Sequence, residues 1–306
     1  MRVLSPSSSA NLGAGYDVLA VAHDAFFDVI EIEVEPHSEI DVKVSSSASP
    51  EVVEKNSASY AVLRMLQELG IKAKVRIRVE KGVPAGLGLG SSGASAAGAV
   101  VGVNHALKLG LSLDELVRFA AYGEEAAAGS AHPDNVAASV YGGFVAVISN
   151  NPVKVVRIPH NFDLEFLLFI PEVRIEEKTK KARELVPKTE SIGKMVSNMR
   201  FVTSLILGLV KGDRDLIRLG LNDDIVEKAR LPLFPFYPDL KKKALEHNAI
   251  GACVSGAGPS VLVFLDERTD KDGVVKDGLA VCQAYGIGCK VKFARVTNGA
   301  RVEGRD

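Results

Sequence analysis

Between Lys81 and Ser92 the chain reads KGVPAGLGLGSS, four glycines in twelve residues, and runs directly into the small-residue stretch Gly93 to Leu109. Glycine lets backbone N–H groups close on an anion, and a helix N-terminus adds its first-turn donors and the positive end of its dipole. The chemistry this spacing suits is the holding of phosphate. Gly88, Gly90 and Gly93 also satisfy G-x-G-x-x-G, but Glu80 to Leu87 separates the preceding strand from the glycines, and the helix leads to another helix. That context excludes a dinucleotide fold. No lysine lies between Lys81 and Lys108, which excludes a Walker A loop. A glycine-rich turn that merely caps a helix is the plain alternative.

A carboxylate on an apolar stripe is the second chemical signal. At about 100° per residue, Leu113, Leu116, Val117 and Ala120 share one helix face with Glu124, whereas Glu125 falls with Asp114 and Arg118 on the wet side. Burying that charge alone costs several kcal/mol, so a metal ion, or a Lys or Arg at the edge of the core, must accompany it. The third signal is Val254-Ser255-Gly256-Ala257-Gly258-Pro259-Ser260, between a helix and a strand. Alone, it is no more than a tight connection.

These groups need elements to carry them. Ile30, Ile32 and Val34 alternate with Glu31, Glu33 and Glu35, a strand with one wet face; Pro36-His37-Ser38 then predicts a hairpin turn, with Ile40, Val42 and Val44 on the return strand. Helical spacing over Ser57 to Leu69, stopped by Gly70, precedes a strand at Val75 to Val79. Beyond the glycine loop the pattern predicts helices over 93–109 and 113–128 and a strand over 144–148. It starts afresh near Pro152, with a strand over 166–170 and helices over 180–185, 194–211, 216–229 and 240–247. A strand pair, 261–265 and 290–295, closes around a helix over 276–285. The expectation is two α+β domains, 1–155 and 156–306.

Composition agrees with two cores: 306 residues, 47% apolar and 25% charged. Lys plus Arg is 37 against 38 Asp plus Glu, a net charge of -1, which excludes the broad basic footprint of a nucleic-acid binder or polybasic membrane protein. Any anionic ligand is held locally. Cys253, Cys282 and Cys289 show no CxxC and no paired His spacing, which argues against a disulfide framework or structural zinc and fits a reducing cytoplasm. Met1 to Asp17 lacks an apolar run of signal-peptide length, so a soluble, unexported protein with no membrane association is expected.

Pro84 to Ser95 has the form P-x-x-x-G-L-G-S-S-x-A-S and resembles the phosphate-binding motif of the GHMP kinases; the Val254 to Ser260 turn resembles that family's C-terminal glycine motif. The opening Pro6 to Asp17, PSSSANLGAGYD, resembles the P-x-[ST]-x-A-N-L-G-x-G-[FY]-D opening of the homoserine kinase branch. The G-E-H type opening of mevalonate kinases and galactokinases is absent. Ala131 to Asn135, Lys178 to Arg183 and Glu227 to Arg230 resemble later segments of the same branch. The resemblance implies an α+β fold with an N-terminal ribosomal-protein-S5-domain-2-like domain and a C-terminal ferredoxin-like domain, using ATP and Mg2+ to phosphorylate the hydroxyl of L-homoserine for threonine synthesis.

It also implies residue roles. Lys81, Pro84, Gly86, Leu87, Gly88, Leu89, Gly90, Ser91, Ser92 and Gly93, with Asn56, would surround ATP, and Ser92 and Glu124 would hold Mg2+. Asn11 and Asp17 would take the acceptor ammonium and Arg183 and Arg230 its carboxylate. Asn135 and Thr179 would face the reacting hydroxyl, and His132 and Gly258 would complete the acceptor pocket. Asn135, Thr179 and Glu124 form the implied catalytic set. Leu87 stands where many members carry a polar residue. Asn135 replaces the Asp of mevalonate-type members, and an amide cannot take the hydroxyl proton. With Asp134 expected to point elsewhere, the resemblance implies that the γ-phosphate receives that proton. Plain readings stay open: Asp17 as a helix cap, Arg183 as a solvated charge, His132 as a loop brace. The alternatives are a kinase for another small alcohol of shikimate or mevalonate type, and a non-catalytic ATP-binding sensor, against which the joint presence of Ser92 and Glu124 speaks. A homodimer is expected, with Leu205 to Val210 serving as either core or contact.

Overall fold

The computed structural model describes residues 1–48, 51–128, 133–161, 163–173 and 178–304. The chain runs β1 (Arg2–Ala10), β2 (Leu19–Pro36), β3 (Asp41–Ser46), α1 (Ser57–Leu69), β4 (Ala73–Glu80), α2 (Ser91–Leu107), α3 (Leu113–Ala128), α4 (Pro133–Tyr141), β5 (Phe144–Asn150) and β6 (Val153–Ile158). It continues through β7 (Glu165–Pro171), α5 (Lys178–Glu184), α6 (Ile192–Lys211), α7 (Arg214–Gly220), α8 (Val226–Arg230), α9 (Tyr237–Glu246), β8 (Gly251–Val254), β9 (Val261–Leu265), α10 (Lys271–Ala284), β10 (Cys289–Arg295) and β11 (Arg301–Val302).

The first sheet has the order β11-β1-β2-β4-β3, with β5 pairing β2 and β6 pairing β5. The expected hairpin is therefore not formed: β4 lies between β2 and β3, and β3 pairs β4 in parallel. Charge explains the choice of neighbour. The outward residues Glu31, Glu33 and Glu35 of β2 lie opposite Arg78, Arg76 and Lys74 of β4, an antiparallel ladder of opposite-charge pairs. β1 escaped the periodicity because its serines do not alternate with apolar residues; Ser5, Ser7, Ser8 and Ser9 are all fully buried. Their small size matters at Ser5, where α2 crosses so closely that a side chain on Gly98 would meet Ser5 and Ile30.

The second sheet has the order β10-β7-β9-β8, antiparallel throughout. The expected strand pair 261–265 and 290–295 is separated by β7, and the short β8 precedes the glycine turn that was read as following a helix. The single helix expected over 216–229 is two, α7 and α8. Its break is local: the Asp223 carboxylate accepts from the backbone N–H groups of Ile225, Val226 and Glu227 and so starts a new helix.

Among the described residues three apolar clusters hold the fold together. One lies between the first sheet and α1 to α4, and one lies among β7, β8, β9, α9 and α10. The third joins both parts, bringing Leu12, Leu19 and Phe144 against Phe166, Leu168, Phe264 and the inner residues Leu205 and Leu209 of α6. Leu205 and Leu209 are thus core, whereas Leu207 and Val210 face outward. The parts also share backbone: β6 runs across the 155/156 division, and β11, after the last strand of the second sheet, pairs β1. Among the described residues no helix is long and apolar enough to cross a membrane.

Candidate active site

A cleft of about 370 Å³ opens where the N-termini of α1, α2 and α4 converge with the Asn11 to Asp17 turn, α5, α8 and the Gly256-Ala257 turn. The glycine loop forms its floor. Gly86, Gly88 and Gly90 all have positive φ, and Gly90, in the left-handed region, is the residue preceding α2. Among the described residues no side chain caps that helix, so its first-turn N–H groups and dipole face the cleft and suit an anion.

Two anchors hold the loop. The first is Asp28, whose carboxylate is fully buried and accepts from Lys81 Nζ at 2.5 Å, the Gly82 and Val83 N–H groups, and the Ser95 hydroxyl. Lys81 Nζ also donates to the Ser91 carbonyl at 2.8 Å and to Ser95 Oγ. Burial pulls the Lys81 ammonium below its ordinary pKa, and Asp28 opposes the shift. Lys81, expected at ATP, lines the cleft, and its ammonium clasps both ends of the loop. Ser91 likewise turns its hydroxyl to the Val83 carbonyl. The second anchor is the C-terminal glycine motif. Ser255 Oγ donates to the Gly88 carbonyl at 2.6 Å, Ser260 N–H to the Leu87 carbonyl and Gly256 N–H to the Ala10 carbonyl. Contact is so close that a side chain at Gly88 would overlap the Ser255 and Gly258 carbonyl oxygens.

Ser92 and Glu124, which the resemblance pairs, meet: the Ser92 hydroxyl donates to Glu124 Oε1 at 2.6 Å, at the cleft wall. Asn135, in the first turn of α4, sits against Gly90, its Oδ1 accepting from Ser8 Oγ at 3.0 Å. Asp134, expected to point elsewhere, also lines the cleft, with its Oδ1 accepting from the Asn135 N–H at 2.7 Å.

At the other end of the cleft the charges are opposed. Asn11 and Asp17 both adopt positive φ; Asn11 Oδ1 accepts from the Asp17 N–H, and Asn11 Nδ2 donates to the Gly256 carbonyl. Arg183 Nη1 stands 3.9 Å from Asp17 Oδ2, a loose pair, and its buried Nε has no hydrogen-bond partner among the described residues. Arg230 is 4% exposed, donates through Nε to the Ala182 carbonyl and lies over the Tyr16 ring at 5.1 Å. Burial lowers the Arg230 pKa, opposed by Tyr16 and Asp17, while burial and then Asp17 raise that of the Tyr16 hydroxyl.

Not every expected residue faces the cleft. Asn56 lines it, but its side chain caps α1, accepting from the Ala58 and Ser59 N–H groups. Pro84 and Leu89 line the cleft and Leu89 is buried, while Leu87 packs into the cluster joining the two parts. A side chain on Gly93 would press on the Asn135–Val136 backbone of α4, and one on Gly258 would overlap the Phe234 ring. His132 lies outside the described residues, as does the side chain of Thr179. The periodicity missed Asp28, Ser8, Tyr16 and Ser255. For Asp28 the signal was present: it shares the inward register of Ile30, Ile32 and Val34, where a carboxylate demands partners.

Comparison with known proteins places this geometry. Residues 56–143 match the family model described as GHMP kinases N terminal domain, and residues 205–281 match GHMP kinases C terminal. The chain is 59% identical to a homoserine kinase of Sulfolobus acidocaldarius over 303 residues, 99% of each chain. It is 57% identical to a homoserine kinase of Sulfurisphaera tokodaii over the full length of both. Among solved structures, homoserine kinase from Cytophaga hutchinsonii superposes with a TM-score of 0.88 at 34% identity, covering 98% of this chain and 96% of that one.

Proposed function

The chain belongs to the GHMP kinases, and from that membership we propose that it transfers the γ-phosphoryl group of ATP to the side-chain hydroxyl of L-homoserine, giving O-phospho-L-homoserine for threonine synthesis. The observation that carries the choice of acceptor is the polarity of the cleft: two arginines and an Asp–Asn pair at one end, an uncapped helix N-terminus at the other. An α-amino acid with a terminal hydroxyl matches both ends. Arg183 and Arg230 hold its carboxylate, with Tyr16 and the Ala182 carbonyl orienting the Arg230 fork; Asp17 and Asn11 hold its ammonium. That grip directs the hydroxyl toward Asn135 and the loop.

The phosphates of ATP lie over the first turn of α2, where the backbone N–H groups that follow Gly90 donate to their oxygens. Ser92 and Glu124 offer two hard oxygens, a set that would hold Mg2+; when bound, that ion would supply charge neutralisation at the phosphoryl group. Asn135 orients the acceptor hydroxyl by hydrogen bonding. Its amide takes no proton, and the Asp134 carboxylate beside it is engaged by the Asn135 backbone N–H, so we assign the proton to the transferred phosphoryl group, with the residues contributing position and field.

The test is ADP release by the purified protein with MgATP, comparing L-homoserine, L-serine, shikimate and mevalonate. L-Homoserine is expected to exceed the others in kcat/KM by at least about two orders of magnitude, since a site built for paired charges rejects ligands that leave those charges unmatched. Equal turnover of shikimate or mevalonate overturns the acceptor; ATP binding without turnover of any acceptor overturns the kinase in favour of a sensor.

A further inference from the structure

β1 and β2 pair with Ser7 opposite His23, and Ser9 lies two residues further along β1, so Ser7, Ser9 and His23 share one face of the ladder. His23 is fully buried there and does not line the cleft. Serines nevertheless connect it to the phosphate loop. Nε2 stands 3.1 Å from Ser9 Oγ, Ser9 Oγ 2.7 Å from Ser255 Oγ, and Ser255 Oγ 2.6 Å from the Gly88 carbonyl oxygen. On the other side of the ring, Nδ1 stands 3.0 Å from Ser7 Oγ, which accepts from the Phe26 N–H.

Burial keeps the ring neutral, and a neutral imidazole carries one N–H. The distances decide which nitrogen holds it. Two oxygens 2.6 Å apart repel unless a proton lies between them, and a carbonyl has none to offer, so the Ser255 hydroxyl proton points to Gly88. Ser255 Oγ then accepts from the Ser9 hydroxyl, Ser9 Oγ accepts from Nε2–H, and Nδ1 accepts from the Ser7 hydroxyl. The opposite tautomer would turn the Ser7 hydroxyl to the His23 carbonyl, Ser9 to Nε2 and Ser255 to Ser9, leaving the shortest contact of the chain without a proton.

Three successive loop carbonyls are held: Leu87 by the Ser260 N–H, Gly88 by Ser255 Oγ and Leu89 by the Ser8 N–H. A trans peptide is planar, so each held carbonyl also fixes the direction of the N–H that follows, at Gly88, Leu89 and Gly90. Two of the three donors are backbone groups with fixed directions. The third is a hydroxyl that rotates, and it needs a partner to set it.

We propose that His23 is a positioning residue for the phosphate loop: as the Nε2–H tautomer it sets a one-way relay of hydrogen bonds, through Ser9 and Ser255, that ends on the Gly88 carbonyl and orients the Gly88–Leu89 peptide. Each bond of such a chain polarises the next, which strengthens the last link. The relay rests on the reading of this loop as the seat of the ATP phosphates.

The tautomer is read first, by two-bond proton–nitrogen NMR correlations on the full-length protein with isotope-labelled histidine and no nucleotide, His23 being identified by the signals lost in His23→Gln. Nε2 is expected in the protonated range and Nδ1 in the unprotonated range; the reverse overturns the relay. The Kd for MgATP is then measured by calorimetry. Ser9→Ala and His23→Leu are each expected to weaken binding about fivefold, the size of one net hydrogen bond, and the double variant no further. His23→Gln, whose amide N–H can stand where Nε2–H stands, is expected to stay within about twofold of the parent. An unchanged Kd in Ser9→Ala, or equal weakening by leucine and glutamine at position 23, would overturn the proposal. Failure of the parent to bind MgATP would overturn the phosphate reading and leave the tautomer to decide the relay.

Discussion

The Ser92–Glu124 contact and the Arg183–Asp17 pair divide the chemistry of the cleft between them. Ser92→Ala removes one hard oxygen and leaves Glu124 in place. The expected loss is about two orders of magnitude in kcat with a higher Mg2+ requirement, read from initial rates across a Mg2+ titration. Unchanged rates at every Mg2+ concentration would remove Ser92 from the metal site. Arg183→Lys keeps the charge but not the planar fork. KM for L-homoserine is expected to rise about tenfold or more with kcat much less affected, since charge-assisted hydrogen bonds contribute about 1.5–3 kcal/mol each. Equal KM values for the two proteins would show that Arg183 is instead a solvated helix charge.

Loop, strand and turn act together in holding the phosphate floor. Gly86 and Gly88 both have positive φ, so an alanine at either carries the left-handed backbone cost of about 1–2 kcal/mol. Only Gly88 is pressed against the second glycine motif; a side chain at Gly86 meets nothing within 4 Å. Gly88→Ala is therefore expected to be the more destabilising in urea unfolding by at least about 1 kcal/mol and to raise KM for ATP, because the loop must part from Ser255. Equal effects at the two glycines would show that the interlock has no energetic weight. The same interlock ties the two motifs together: Ser255 reaches the Gly88 carbonyl and Ser260 N–H the Leu87 carbonyl, which fixes the loop against the second part of the chain.

Across the whole molecule the two sheets meet at β2, and His23 stands at that seam, bridging to Val296 and lying edge-on to Phe166. Its ring nitrogens face Ser7 Oγ and Ser9 Oγ, and Ser9 Oγ in turn lies 2.7 Å from Ser255 Oγ, which accepts there while donating to the Gly88 carbonyl. Burial lowers its pKa from 6.5 to about 3. In the folded state His23 is neutral where the unfolded chain binds a proton, so stability rises with pH across that interval. The contribution is complete above 6.5 and is lost as pH falls toward 3, up to about 4–5 kcal/mol in all. His23→Gln is expected to be less stable at pH 7 and to approach the parent as pH falls to 4, by urea midpoints. A constant difference across that range would assign the pH dependence to other groups.

Much of this was legible in local patterns because periodicity and glycine placement are local quantities. The helices over 57–69 and 113–128 and strand 261–265 coincide with α1, α3 and β9, and the spacing that put Glu124 on an apolar stripe is what brings it to Ser92. Neighbour relations were not legible. The hairpin reading of β2 and β3 fails because β4, from beyond a helix, offers the complementary basic face, and β1 shows no alternation because both its faces are buried. The chemical identity of the loop follows from residue types and their order. Its shape, held by Asp28 from one strand and Ser255 from the other part of the chain, depends on which surfaces pack, a choice made by long-range burial and charge pairing that no local window contains.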